Sequence, residues 1–127
     1  NKILKKIYKK NFTVYNYGID NIPKKTRKYF YHVGKKNYGC SSLLKPIPKK
    51  LGIKIEYKKL VEIYPLSFFL NKIKNEYVEM LKTDTQGNDL NVLKSAGNFI
   101  KKIAFIQSEY WALQDYEGEK SNWSRII

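Results

Sequence analysis

The sequence predicts an α/β fold with a mostly parallel sheet and helices on both faces, and three observations predict it. Strand-like runs alternate with stretches of helical period, and strands separated by helical segments call for crossovers, which bring successive strands into parallel register. The runs "VEML" and "IAFI" suit strands buried on both faces. Between them, "LKTDTQGNDLNVLKSAG" passes from a strand through an acid and a glycine into an amphipathic run.

Taken in order, Ile3, Leu4, Ile7 and Tyr8 sit at helical spacing between lysines, so the first ten residues read as an amphipathic helix. "NFTVYNYGID" alternates until Gly18 and reads as a strand ending at Tyr17 or Gly18. "KYFYHV", Lys28 to Val33, is a second strand, and the segment after it reads as a loop because Pro46 and Pro48 leave little room for ladder or helix. Alternation from Ile53 to Tyr64 indicates extended structure. Pro65 then precedes Leu66, Phe69, Leu70 and Ile73 at helical spacing. "YVEMLKTD" is a strand, "NDLNVLKSAG" a helix and "KIAFIQSEYW" a further strand, while the residues from Ala112 onward are polar and unpatterned.

A chain of 127 residues with 43% hydrophobic content buries one core, so it reads as one domain or part of one. It opens on Asn1 and stops on "NWSRII", and both ends read as cut. The formal charge of +14 raises the possibility of nucleic acid as a partner. The kind of cation argues otherwise, since only Arg27 and Arg125 among the 25 basic residues carry the planar fork that base and phosphate recognition draws on. The lysines are scattered in pairs, as a solvated surface requires. Cys40 and His32 are each single, which excludes an intrachain disulfide and a Cys/His zinc cage. No apolar run reaches the length of a membrane span, and no signal peptide is legible, so the expected compartment is the cytoplasm.

In an open parallel sheet, ligands sit beyond the carboxyl ends of the strands, and Asp84 closes such a strand. Gly87 permits the sharp turn that follows, and Asp89 lies in the first turn of the next helix, where its charge suits the dipole. Asp84 could merely hold that turn. Glu109, however, stands at the corresponding place after "IAFIQS", and two acids at adjacent strand ends would face one crevice. Asp89 is read as a helix-start residue, and His32 and Cys40 as packed residues.

"LKTDTQGNDLNVLKSAG" followed by "IAFIQSEYW" resembles the FkbM family of methyltransferases, whose pattern here is a strand ending in Lys-Ile-Asp, then Val, Glu or Gln, Gly, and a helix. "VYNYGID" and "GCSSLLKP" are similar to earlier family segments. The resemblance implies a Rossmann-like class I fold and S-adenosylmethionine as cofactor. It implies that Asp84 and Glu109 are catalytic, that Gly18 and Ile19 line the adenine with Asp84 beside the methionine portion, and that Ser41 and Ser42 contact the acceptor. The acceptor would be a small molecule bearing a hydroxyl, such as a sugar, with no nucleic acid or membrane as partner; no metal ligands are assigned, and metal binding through Asp and Glu stays open. The seven glycines never fall at Gly-x-Gly spacing, the acid expected after a second strand is missing, and the family's Leu-Asp pair is not reproduced at Lys59 to Glu62. Residues 1–127 are therefore expected to be the C-terminal portion of a single, truncated methyltransferase domain. The rival reading is a basic module that binds nucleic acid through lysines and aromatic rings, without catalysis.

Overall fold

Five strands form among the described residues, β1 (Gly18–Ile19), β2 (Thr26–Val33), β3 (Ile55–Tyr64), β4 (Val78–Thr83) and β5 (Ile103–Ser108), and all but the two-residue β1 are rich in branched or aromatic residues. The computed structural model describes residues 13–73, 77–109 and 115–118. The helix expected over the first ten residues lies outside them.

The strands form two sheets rather than one. β1, β3 and β2 lie side by side in that order, and β4 pairs with β5 alone. β1 runs parallel to β3, Gly18 opposite Ile63. β2 runs antiparallel to β3, from Thr26 opposite Ile63 to Val33 opposite Ile55, with an irregularity between His32 and Val33. The expected mostly parallel sheet is thus corrected to a mixed one. Alternation in "IEYKKLVEIY" marks a strand but not its direction, and the link between β2 and β3 contains no long helix to enforce a parallel crossover. That link holds a 3-10 turn at Lys35–Cys40 and a one-turn helix, α1 (Pro48–Leu51). Pro48 does not exclude this helix; it starts it, because a proline in the first turn loses no intrahelical bond.

β4 and β5 are parallel as expected, in register from Val78 opposite Ile103 to Thr83 opposite Ser108. They are joined by α3 (Asp89–Lys94) and a 3-10 turn over Gly97–Lys102. α2 (Leu66–Leu70) follows Pro65, as its apolar spacing predicts. Leu66, Leu70, Val92 and Ala96 form a buried cluster from α2, α3 and the turn after it, with Ile19, Val78, Leu81 and Ile103 packed against it. Each buried Leu or Val here contributes roughly 1.5–3 kcal/mol of transfer free energy. Burial of β4 and β5 on both faces is not found, since Met80, Phe105 and Ile106 are exposed. The core therefore lies where strands meet α2 and α3, and the carboxyl ends of β1 and β4 border a cleft beside it.

Candidate active site

The site begins where β4 stops. After Thr83, the chain turns through Asp84, Thr85, Gln86 and Gly87 into α3, with Gln86 at φ 52° and Gly87 at φ 89°. Glycine adopts a positive φ freely, whereas glutamine does so only where its surroundings hold it.

Three buried side chains hold this turn. The Asp89 carboxylate, 2% exposed, accepts the Thr85 amide with both oxygens at 3.3 Å. Asp89 thus serves the helix start, as read from its position. The Ser42 hydroxyl lies 2.8 Å from the Gln86 carbonyl and 3.1 Å from that of Thr85, sharing its proton between them, and accepts the Leu44 amide. Asn88 donates from Nδ2 to the Ile19 carbonyl at 3.2 Å while its Oδ1 accepts from Asn91, tying the end of β1 to the start of α3. The two banks of the cleft are therefore joined by a hydrogen bond.

The cleft has a volume of about 870 Å³. Gly18, Ile19, Ser41 and Asp84 line it, together with the apolar Leu43, Leu66, Leu81 and Val92. Gly18 is needed at its floor, where a Cβ would come within 2.5 Å of Ile63 Cδ1 and 3.2 Å of Leu43 Cδ1. Ser41 accepts the Val33 amide at 3.1 Å. Ser42, expected to meet the acceptor, is 1% exposed and spends its hydroxyl on the turn, so it supports the site from behind. His32 also lines the cleft, its ring stacked 4.2 Å from Tyr57 and edge-on to Phe30 at 4.9 Å, which agrees with a packed residue. Cys40 is half-buried, and its carbonyl accepts from the Tyr116 hydroxyl at 3.1 Å.

Asp84 and Glu109 follow the directly paired residues Thr83 and Ser108, whose hydroxyls are hydrogen-bonded at 2.7 Å. The two carboxylates therefore leave neighbouring parallel strands at the same level. Asp84 is exposed and Glu109 half-buried. Gln86 Nε2 lies between them, donating to Asp84 Oδ1 at 2.9 Å and more weakly to Glu109 Oε2 at 3.4 Å. Reasoning from sequence named the two acids but missed Gln86, Thr85 and Asn88. The only signal for them was their place inside "TDTQGND". Thr85 also lines the cleft, and its hydroxyl is buried with no hydrogen-bond partner among the described residues. Among those residues, no cluster of His, Cys, Asp and Glu could hold a metal, and no helix is long and apolar enough to cross a membrane.

A strand-end acid, a positive-φ turn and a helix that joins two parallel strands are parts that ligand-binding α/β domains share. The family model of the methyltransferase FkbM domain matches residues 6–122, nearly the whole chain. The protein belongs to that methyltransferase family. No curated protein and no solved structure matches it significantly.

Proposed function

We propose that this chain forms the acceptor side of an S-adenosylmethionine-dependent O-methyltransferase site, as the C-terminal portion of one methyltransferase domain. The observation that carries the reading is the pair of carboxylates at the ends of parallel β4 and β5, with Asp84 on the wall of the cleft.

The residues present fit the adenosyl part of the cofactor. Gly18 and Ile19 with Leu43, Leu66 and Leu81 offer an apolar slot for a flat ring, and the unpartnered Thr85 hydroxyl offers a buried polar group that a ligand can satisfy. The glycine-rich loop that would hold the methionine end has no counterpart in the sequence. When bound, S-adenosylmethionine supplies an electrophilic methyl group. Asp84 orients the acceptor hydroxyl and takes up its proton, the part of the work that falls to a positioned general base. Glu109 does not line the cleft that Asp84 lines, so the two acids do not share its wall; Glu109 is linked to Asp84 through Gln86. Ser41, which lines the same cleft, would meet the acceptor, a sugar or another small hydroxyl compound.

The test is titration calorimetry with S-adenosylmethionine, followed by mass-spectrometric detection of methylated product from a panel of sugars. Asp84→Asn is expected to lower turnover about 10²–10⁴-fold, the usual worth of a general base. An unchanged rate would remove Asp84 from this role.

A second reading has its own observation. Tyr15, Tyr17, Tyr29 and Tyr57 are exposed on a strongly basic chain, as a single-strand binder requires. Against it, some rings are already covered by the protein's own cations: Lys58 lies 4.2 Å from the centre of the Tyr29 ring, and Lys72 lies 4.1 Å from that of Phe68. Tight, salt-sensitive RNA binding without affinity for S-adenosylmethionine would reverse the preference.

A further inference from the structure

We propose that Gln86 is the positioning residue of the acidic pair, a neutral clamp that fixes Asp84 and Glu109 relative to each other. The inference rests on the reading of Asp84 as the acceptor-facing carboxylate. Two carboxylates released from adjacent strands repel, and a donor placed between them offsets that repulsion. The Gln86 amide supplies two N–H groups from one nitrogen, which lies 2.9 Å from Asp84 Oδ1 and 3.4 Å from Glu109 Oε2. Its oxygen lies 3.3 Å from the Tyr116 hydroxyl, whose single proton is shared with the nearer Cys40 carbonyl at 3.1 Å, so the orientation of the amide is set by the two acceptors against its nitrogen. Reversing the amide would set its oxygen against the two carboxylates. The backbone is held as well. Gln86 keeps its left-handed φ of 52° while the buried Ser42 hydroxyl donates to its carbonyl at 2.8 Å. Backbone strain that persists because its surroundings hold it is characteristic of functional turns. Here the strain aims one side chain at two acids that lie apart in sequence.

The test uses the full chain labelled with ¹⁵N and ¹³C. In the wild type, Asp84→Ala is expected to move the Gln86 side-chain amide resonances strongly and Glu109→Ala to move them less, following the two distances. Gln86→Gly, which accepts the positive φ without cost, is expected to leave the melting temperature within a few degrees of wild type and to lower the order parameter of the Asp84 Cβ. In the methylation assay, the same variant is expected to lose about 10-fold or more in kcat with KM for S-adenosylmethionine retained, because misplacement by an ångström costs up to about 10²-fold. Gln86→Asn, which also tolerates positive φ but is one methylene short, serves if the glycine variant does not fold. Amide resonances indifferent to both alanine substitutions, or an Asp84 side chain equally ordered without Gln86, would overturn the clamp. The resonance measurements need no turnover. Failure of the methyl-transfer reading would therefore appear separately, as absent cofactor binding beside an intact clamp.

Discussion

Gly18 lies at the floor of the cleft and leaves no room for a side chain. An added Cβ would stand 2.5 Å from Cδ1 of Ile63, a residue with 0% exposure and so little space to retreat. Gly18→Ala is expected to destabilise the protein by about 1–3 kcal/mol through overpacking. Ile63→Val removes the methyl that clashes, so the double variant is expected to lose less than the sum of the two single losses. Urea denaturation of the four proteins measures the coupling, and strict additivity would show that the floor relaxes elsewhere. The same scale explains why Gln86 was not legible. Its chemistry depends on Glu109, which lies 23 positions on and arrives beside it only after β4 and β5 pair. Asp84 and Glu109 were legible because each ends an apolar run, a feature that a single strand carries by itself.

At the scale of elements, α2 and α3 are joined by a serine. Helix starts leave backbone N–H groups without partners, and Pro65 at the head of α2 brings no capping side chain. Ser95 takes over from the end of α3: its Oγ accepts the Leu66 amide at 2.9 Å and donates to the Val92 carbonyl at 2.6 Å, while its carbonyl accepts the Ser67 amide at 3.1 Å. Ser95→Ala leaves a buried amide without an acceptor and is expected to cost about 1–3 kcal/mol. A loss below about 0.5 kcal/mol in denaturant unfolding would mean that another acceptor replaces the hydroxyl. The unit β4–α3–β5 could be read from sequence because strand, turn and helical spacing follow one another without a gap. The antiparallel β2–β3 pair could not, because alternation is the same in either direction and the link at residues 34–54 gives no helical signature. The first strand was read as ending at Tyr17 or Gly18, whereas the paired residues are Gly18–Ile19, since alternation measures extended backbone and not hydrogen bonding.

For the molecule as a whole, charge sets the response to pH and salt. Basic residues outnumber acidic ones by 25 to 11, and self-repulsion at +14 works against the folded state. Ion pairs among the described residues include Lys25 with Glu62 at 2.7 Å, Lys28 with Asp20 at 2.5 Å and Lys45 with Glu117 at 2.6 Å. Lys45–Glu117 reinforces a backbone attachment in which the Glu117 amide donates to the Lys45 carbonyl at 2.8 Å and the Ile47 amide to Asp115 at 2.9 Å. The hydrogen bond to Glu117 raises the Lys45 ammonium above its ordinary value of 10.5, and the hydrogen bond to Glu62, followed by that to Tyr64, raises Lys25. A raised lysine stabilises the fold below its unfolded value and ceases to do so as pH climbs through the folded one. The melting difference between wild type and Lys45→Met is therefore expected to stay constant between about pH 7 and 9 and to close above about 10.5. Both partners of this pair are exposed, so its contribution is small beside the summed repulsion of the remaining lysines. Raising sodium chloride from about 0.1 to 1 M shortens the screening length from about 10 to 3 Å and weakens repulsion and pairing together. Because the repulsive terms are more numerous, the wild-type melting temperature is expected to rise with salt. A fall would show that the ion pairs outweigh the excess charge.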